Sequence, residues 1–69
     1  MIELLITSPP DRKHVVVELW RANVQLAEVS NEDGILRVEI YAEPGTNRAA
    51  IPLDELEEAL GRARRNLVS

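Results

Sequence analysis

The sequence offers few side chains that could do chemistry. His14 is the only one whose ordinary pKa suits proton transfer near neutral pH. General acid–base catalysis also needs a partner group held in a concave site. A lone histidine opening a strand beside a Pro-rich turn reads as a solvated residue. Serines 8, 30 and 69 have no histidine–carboxylate pair arranged around them, so a nucleophilic mechanism has no support. Glu18, Glu28 and Glu39 are the second possibility, because carboxylates gathered on one face raise one another's pKa. They read instead as a solvated acidic face, paired with Arg37 and Arg48.

The remaining motifs have simpler explanations. Asn31-Glu32-Asp33-Gly34 superficially suggests a calcium loop, but it lacks the repeated oxygen-bearing positions and the distal glutamate, and a hairpin turn accounts for it. Glu43-Pro44-Gly45 has no second glycine, lysine or following helix that would make it a phosphate loop. Arg62, Arg64 and Arg65 form the one basic cluster, and a helix end explains them through the macrodipole. With no stacking aromatics beside them, nucleic-acid binding is not expected. With no cysteine and one histidine, a structural zinc site cannot be assembled. The expectation is a non-enzymatic chain with no cofactor and no metal.

Composition narrows the class further. Sixty-nine residues make a single domain (1–69), and a chain this short buries only roughly 60% of the surface its unfolded form exposes. Twelve acidic against eight basic side chains leave a net charge of -4, which disfavours nucleic acid and anionic membranes and suits a basic partner. The amino terminus lacks the basic region and apolar run of a signal peptide, and no stretch approaches the ~20 apolar residues of a membrane span. A soluble, cytoplasmic protein is expected.

Hydropathy patterning supplies the elements. Alternation over 2–7 (IELLIT) ends at Ser8-Pro9-Pro10-Asp11 and predicts a strand followed by a turn. β-Branched composition predicts a second strand over about 14–20, and VQLAEVS and ILRVEIY predict a third and fourth over 24–30 and 35–41. Asp33-Gly34 between the last two is a hairpin signal. Residues 48–51 (RAAI) offer a short fifth strand. From Pro52 the period changes: Leu53, Leu56, Leu60, Ala63 and Leu67 recur every three or four residues, on one stripe of a helix over about 53–67. Its first turn is acidic and its last basic, as the macrodipole favours. Gly61 within it implies either a close approach of helix to sheet or an early helix end. The expected fold is α+β: an antiparallel four- to five-stranded β-meander with one carboxy-terminal helix on one face.

Register decides which side chains face the helix, since a slip of one residue exchanges the two faces. A two-residue turn between the second and third strands would bury Glu18, at several kcal/mol for an unpaired carboxylate. A three-residue loop at Arg21-Ala22-Asn23, with Asn23 in the left-handed conformation, avoids this. The inner face then collects Ile2, Leu4, Ile6, Val15, Val17, Leu19, Ala27, Val29, Leu36, Val38 and Ile40. The outer face takes Leu5, Val16, Trp20, Val24, Leu26 and Tyr41, among Glu3, Glu18, Glu28, Glu39 and Arg37. Both large aromatics thus lie outside. Two readings follow: an uncovered contact surface in which Trp20, Leu26 and Tyr41 are anchors beside Glu18, Glu28, Glu39 and Arg37, or aromatics that pack on each other and shield the sheet. A homodimer burying this face is the simplest contact.

TSPPDR, VVELW, AEVSNEDG, LRVEIY and LDELEEAL, read along the chain, are similar to the pattern of small uncharacterised bacterial proteins with a β-meander and one carboxy-terminal helix. Some proteins of that design resemble immunity proteins, which neutralise a cognate toxin by covering its active site. The outer-face residues suggest a non-enzymatic protein-binding module, which the resemblance would make an immunity-type protein neutralising a basic partner; the alternative is a homodimeric structural or regulatory protein whose outer face is its dimer interface. It carries no functional residue over, because immunity surfaces are specific to their toxins.

Overall fold

A computed structural model describes residues 1–68. The elements are β1 (Glu3–Thr7), β2 (Val16–Arg21), β3 (Val24–Glu32), β4 (Ile35–Ile40) and α1 (Leu53–Leu67). The strands form one antiparallel sheet in the order β1-β2-β3-β4, with α1 packed on one side, so the fold is the α+β meander that the patterning predicts. Residues 48–51 are not a fifth strand. They belong to a loop closed locally: Pro44-Gly45 forms a turn with Gly45 at φ 81, the Thr46 N–H donates to the Glu43 carbonyl (3.0 Å), and the Glu43 N–H donates to the Arg48 carbonyl (3.0 Å). The Thr46 hydroxyl lies 2.9 and 2.8 Å from those two carbonyl oxygens.

The β2–β3 connection differs from the expected three-residue loop. Arg21 pairs with Val24, leaving a two-residue turn in which Ala22 (φ 50) and Asn23 (φ 66) are both left-handed. That handedness matches the twist of the flanking strands, although alanine there is disfavoured by roughly 1–2 kcal/mol. Glu18 stays out of the core because of a β-bulge. Trp20 pairs with Gln25 and Leu19 with Ala27, so Leu26 is an extra residue on β3. Beyond the bulge the inner face holds Val17, Leu19, Ala27 and Val29, as expected. Between turn and bulge the assignment reverses: Leu26 is buried in the core cluster and Val24 packs against it, neither standing on the outer face.

The core is small and aliphatic. Ile2, Val17, Leu19, Leu26, Ala27 and Val29 of the sheet meet Ala59 and Ala63 of α1, with Leu4, Ile51, Leu56, Leu60 and Leu67 around them. The two alanines mark where the helix lies closest, whereas a Cβ added at Gly61 would meet only the Arg65 guanidinium at 3.5 Å. Gly61 therefore marks neither a close approach nor a helix end, since α1 runs on to Leu67. Leu53, assigned to the apolar stripe by its spacing, is 68% exposed. A helix about 10 Å wide spans roughly two strands at about 4.8 Å spacing. Accordingly α1 sits over β2 and β3 with a lesser contact on β1, and Ile6, Val15, Val38 and Ile40, all placed inside by the alternation, remain exposed. Among the described residues no helix is long and apolar enough to cross a membrane.

Candidate functional site

The face turned away from α1 is organised as rows running across the strands. Register places Thr7, Val16, Ser30 and Arg37 in one row and Leu5, Glu18, Glu28 and Glu39 in the next. Glu3, Trp20 and Gln25 make a third row, and Tyr41 joins it beyond β4, its backbone N–H donating to the bulged Leu26 carbonyl (2.9 Å). Three carboxylates thus stand directly opposite one another on β2, β3 and β4. Like charges so placed repel, and the arrangement requires a cation.

The cation is Arg12, which the sequence pattern did not single out. The turn closed by the Arg12 N–H donating to the Pro9 carbonyl (3.2 Å) brings its side chain over the sheet. There Nη2 donates to Glu28 Oε2 (2.9 Å) and Glu39 Oε1 (3.2 Å), and Nη1 lies 3.5 Å from Glu32 Oε1. The expected partners were Arg37 and Arg48; among the described residues neither pairs with these carboxylates. Arg12 holds its proton more tightly than a free guanidinium, first because of the hydrogen bond to Glu39, with Glu28 and Glu32 adding to it and partial burial opposing. The 8–15 loop also explains why Val16 and Ser30, on the outer face by alternation, are buried. The outer face is therefore roofed at one end, where an uncovered sheet was expected.

The neighbouring row, on the side away from the 8–15 loop, is aromatic. The Trp20 indole Nε1 donates to Glu18 Oε1 (2.9 Å), which fixes the ring beside the acidic row and leaves it half-buried. Tyr41 is also half-buried, and its phenol is pushed above the ordinary tyrosine value by burial first, then by Glu28, Glu39 and Glu18, with Arg12 opposing. Trp20, Tyr41, Glu18, Glu28 and Glu39 thus form one patch, as the register argument proposed. Leu26 does not belong to it. Arg37 lies one row away, exposed.

The remaining sequence candidates sit elsewhere. His14 is exposed, on an open cleft with Lys13, Asn31, Asp33 and Asn66. Ser8 is exposed and Ser30 is buried under the loop, and Ser69 lies outside the described residues. Arg62 pairs with Glu58 one helical turn away (3.4 Å), and Arg64 and Arg65 occupy the last turn as the macrodipole reading required. Among the described residues no three histidine, cysteine or acidic side chains are grouped to hold a metal ion. The arrangement on the outer face can donate and accept hydrogen bonds, attract cations and bury aromatic area. No match to this chain is found among protein-family models, curated proteins or solved structures.

Proposed function

We propose that this protein is a non-enzymatic binding module whose outer sheet face takes a basic protein partner. One observation carries the reading: Glu18, Glu28 and Glu39 are held side by side with a single guanidinium, beside Trp20 and Tyr41. Arg12 pairs with three carboxylates, Glu28, Glu32 and Glu39, while Glu18 accepts only from the Trp20 indole among the described residues, so the face stays strongly acidic after internal pairing. Arg12 also gives the stereochemistry by which a partner's arginine would be received, a planar donor bridging carboxylates of two strands. Trp20 and Tyr41 are the residue types that supply most energy at interface centres. The acidic field steers a basic partner toward them. In its most specific form the role is immunity-like: the partner is a basic toxin and this face covers its active site. The test is affinity capture from the native lysate followed by identification of the captured protein. Recovery of a basic protein that is lost with both Trp20→Ala and Glu39→Lys supports the reading, and capture indifferent to both substitutions overturns it.

A second reading, self-association, is favoured by a different part of the molecule, the free edge of β4.

A further inference from the structure

The sheet has two edges, and they are protected differently. β1 is five residues long and runs into Pro9-Pro10, which cannot extend a strand ladder. β4 has no such device. Ile35, Arg37, Val38, Glu39 and Ile40 are exposed along its length, no proline interrupts it, and α1 does not cover it.

Which backbone groups of β4 are free follows from its turn. Asp33 (φ 55) and Gly34 (φ 78) form a two-residue turn closed by Glu32 and Ile35, and in such hairpins the closing pair exchanges both hydrogen bonds. Alternation then directs the N–H and C=O of Ile35, Arg37 and Glu39 toward β3. The Tyr41 N–H, next in that series, indeed bonds to β3 at Leu26. Leu36, Val38 and Ile40 therefore present their N–H and C=O groups to the open side.

We propose that β4 pairs with β4 of a second copy of this chain, antiparallel about a two-fold axis at Val38. This interface is the sheet edge, distinct from the outer-face contact considered above. Centring on Val38 sets Val38 against its own equivalent and Leu36 against Ile40, the residues whose backbone groups are free. Three hydrogen-bonded pairs, roughly six backbone hydrogen bonds, result. The same register sets Arg37 opposite Glu39 twice, in the closer, non-hydrogen-bonded positions where opposite charges attract. It also joins the exposed Val38 (43%) and Ile40 (57%), left uncovered beside α1, to the same residues of the copy. A two-fold edge contact needs a self-complementary strand. The alternation of Leu36, Arg37, Val38, Glu39 and Ile40 is one.

Sedimentation velocity over a concentration series tests this, with far-UV circular dichroism confirming that each variant is folded. The wild-type chain is expected to dimerise. Arg37→Glu sets two glutamate pairs face to face and weakens the dimer about tenfold or more. The double exchange Arg37→Glu with Glu39→Arg restores attraction across the axis and recovers the dimer. Val38→Pro, which removes an N–H directed away from β3, leaves the fold intact and abolishes dimerisation. A wild-type monomer at every concentration overturns the proposal. So does a dimer indifferent to the charge exchanges, and a dimer that dissociates on Trp20→Ala instead would place self-contact on the outer face.

Discussion

The two faces of this sheet come from the same strands by alternation, yet they are built on opposite principles. The helix face is closed by small aliphatics: Leu19, Val17, Ala27 and the alanines of α1 have no accessible surface, and no charged group lies among them. The outer face holds both large aromatics and a row of carboxylates, roofed at one end by a single arginine and open at the other. A domain this small has little stability to give away. It nevertheless keeps like charges opposite one another on three adjacent strands, which a face serving only to cover the sheet would not need. The inner face holds most of the core, and the outer face, apart from Val16 and Ser30 under the 8–15 loop, is where the proposed binding would act.

Substitutions should separate those two roles. Leu19→Ala opens a cavity at the centre of the closed face and should cost about 3 kcal/mol or more, most of what a single core of this size supplies. Urea titration is expected to find this variant largely unfolded, while Trp20→Ala on the open face loses about 1 kcal/mol or less and remains folded. Equal losses at both positions would erase the distinction. Leu26→Ala comes next, at about 2–3 kcal/mol because the bulge sends this side chain into the core. A loss under about 0.5 kcal/mol would return Leu26 to the surface and remove the bulge from the account.

Smaller effects refine the picture. Gly61→Ala should stabilise by about 0.8–1 kcal/mol in thermal or urea unfolding, because the added methyl meets only a movable guanidinium. Destabilisation would mean that α1 approaches the sheet at Gly61 as well as at Ala59 and Ala63. The subtlest test is pH. Tyr41 is the only tyrosine, so ultraviolet absorbance titrates it alone. Its folded pKa is raised above the unfolded value of 10.0, so the folded state holds the phenolic proton more tightly. That stability is fully present below pH 10 and declines as pH rises through the folded pKa. Tyr41→Phe should flatten the decline, Arg12→Gln should move the Tyr41 midpoint higher, and Glu39→Gln should move it lower. No movement on either change would detach Tyr41 from the acidic row.

These contrasts also explain what the sequence could and could not reveal. Strand positions and the helix were legible because their hydropathy periods differ, and the helix spans Leu53–Leu67 as its spacing requires. The faces were legible beyond the bulge because a three-residue loop and a two-residue turn with one bulged residue leave the same parity there. They differ only between turn and bulge, which is why Val24 and Leu26 alone were assigned to the wrong side of β3. Exposure of Val38 and Ile40 was not legible: alternation gives the side of the sheet, whereas coverage depends on the width and placement of one helix. Arg12 carried no periodic signal in SPPDRKH. The clue was indirect, in that three opposed carboxylates call for a cation, but the path of a Pro-rich loop across the sheet is set by tertiary contacts.

On the function proposed above, the outer face, and not general acidity, receives cationic partners. α1 offers the natural control, since its first turns carry Asp54, Glu55, Glu57 and Glu58 on the side of the sheet away from Glu18, Glu28 and Glu39. Titrating isotope-labelled protein with a short arginine-rich peptide and following amide and indole N–H chemical shifts compares the two sites in one sample. Concentrated shifts are expected at the Trp20 indole, Glu18, Glu28, Glu39 and Tyr41, and are expected to be lost with Trp20→Ala. Shifts centred on Asp54 to Glu58, with the Trp20 indole unmoved, would contradict it.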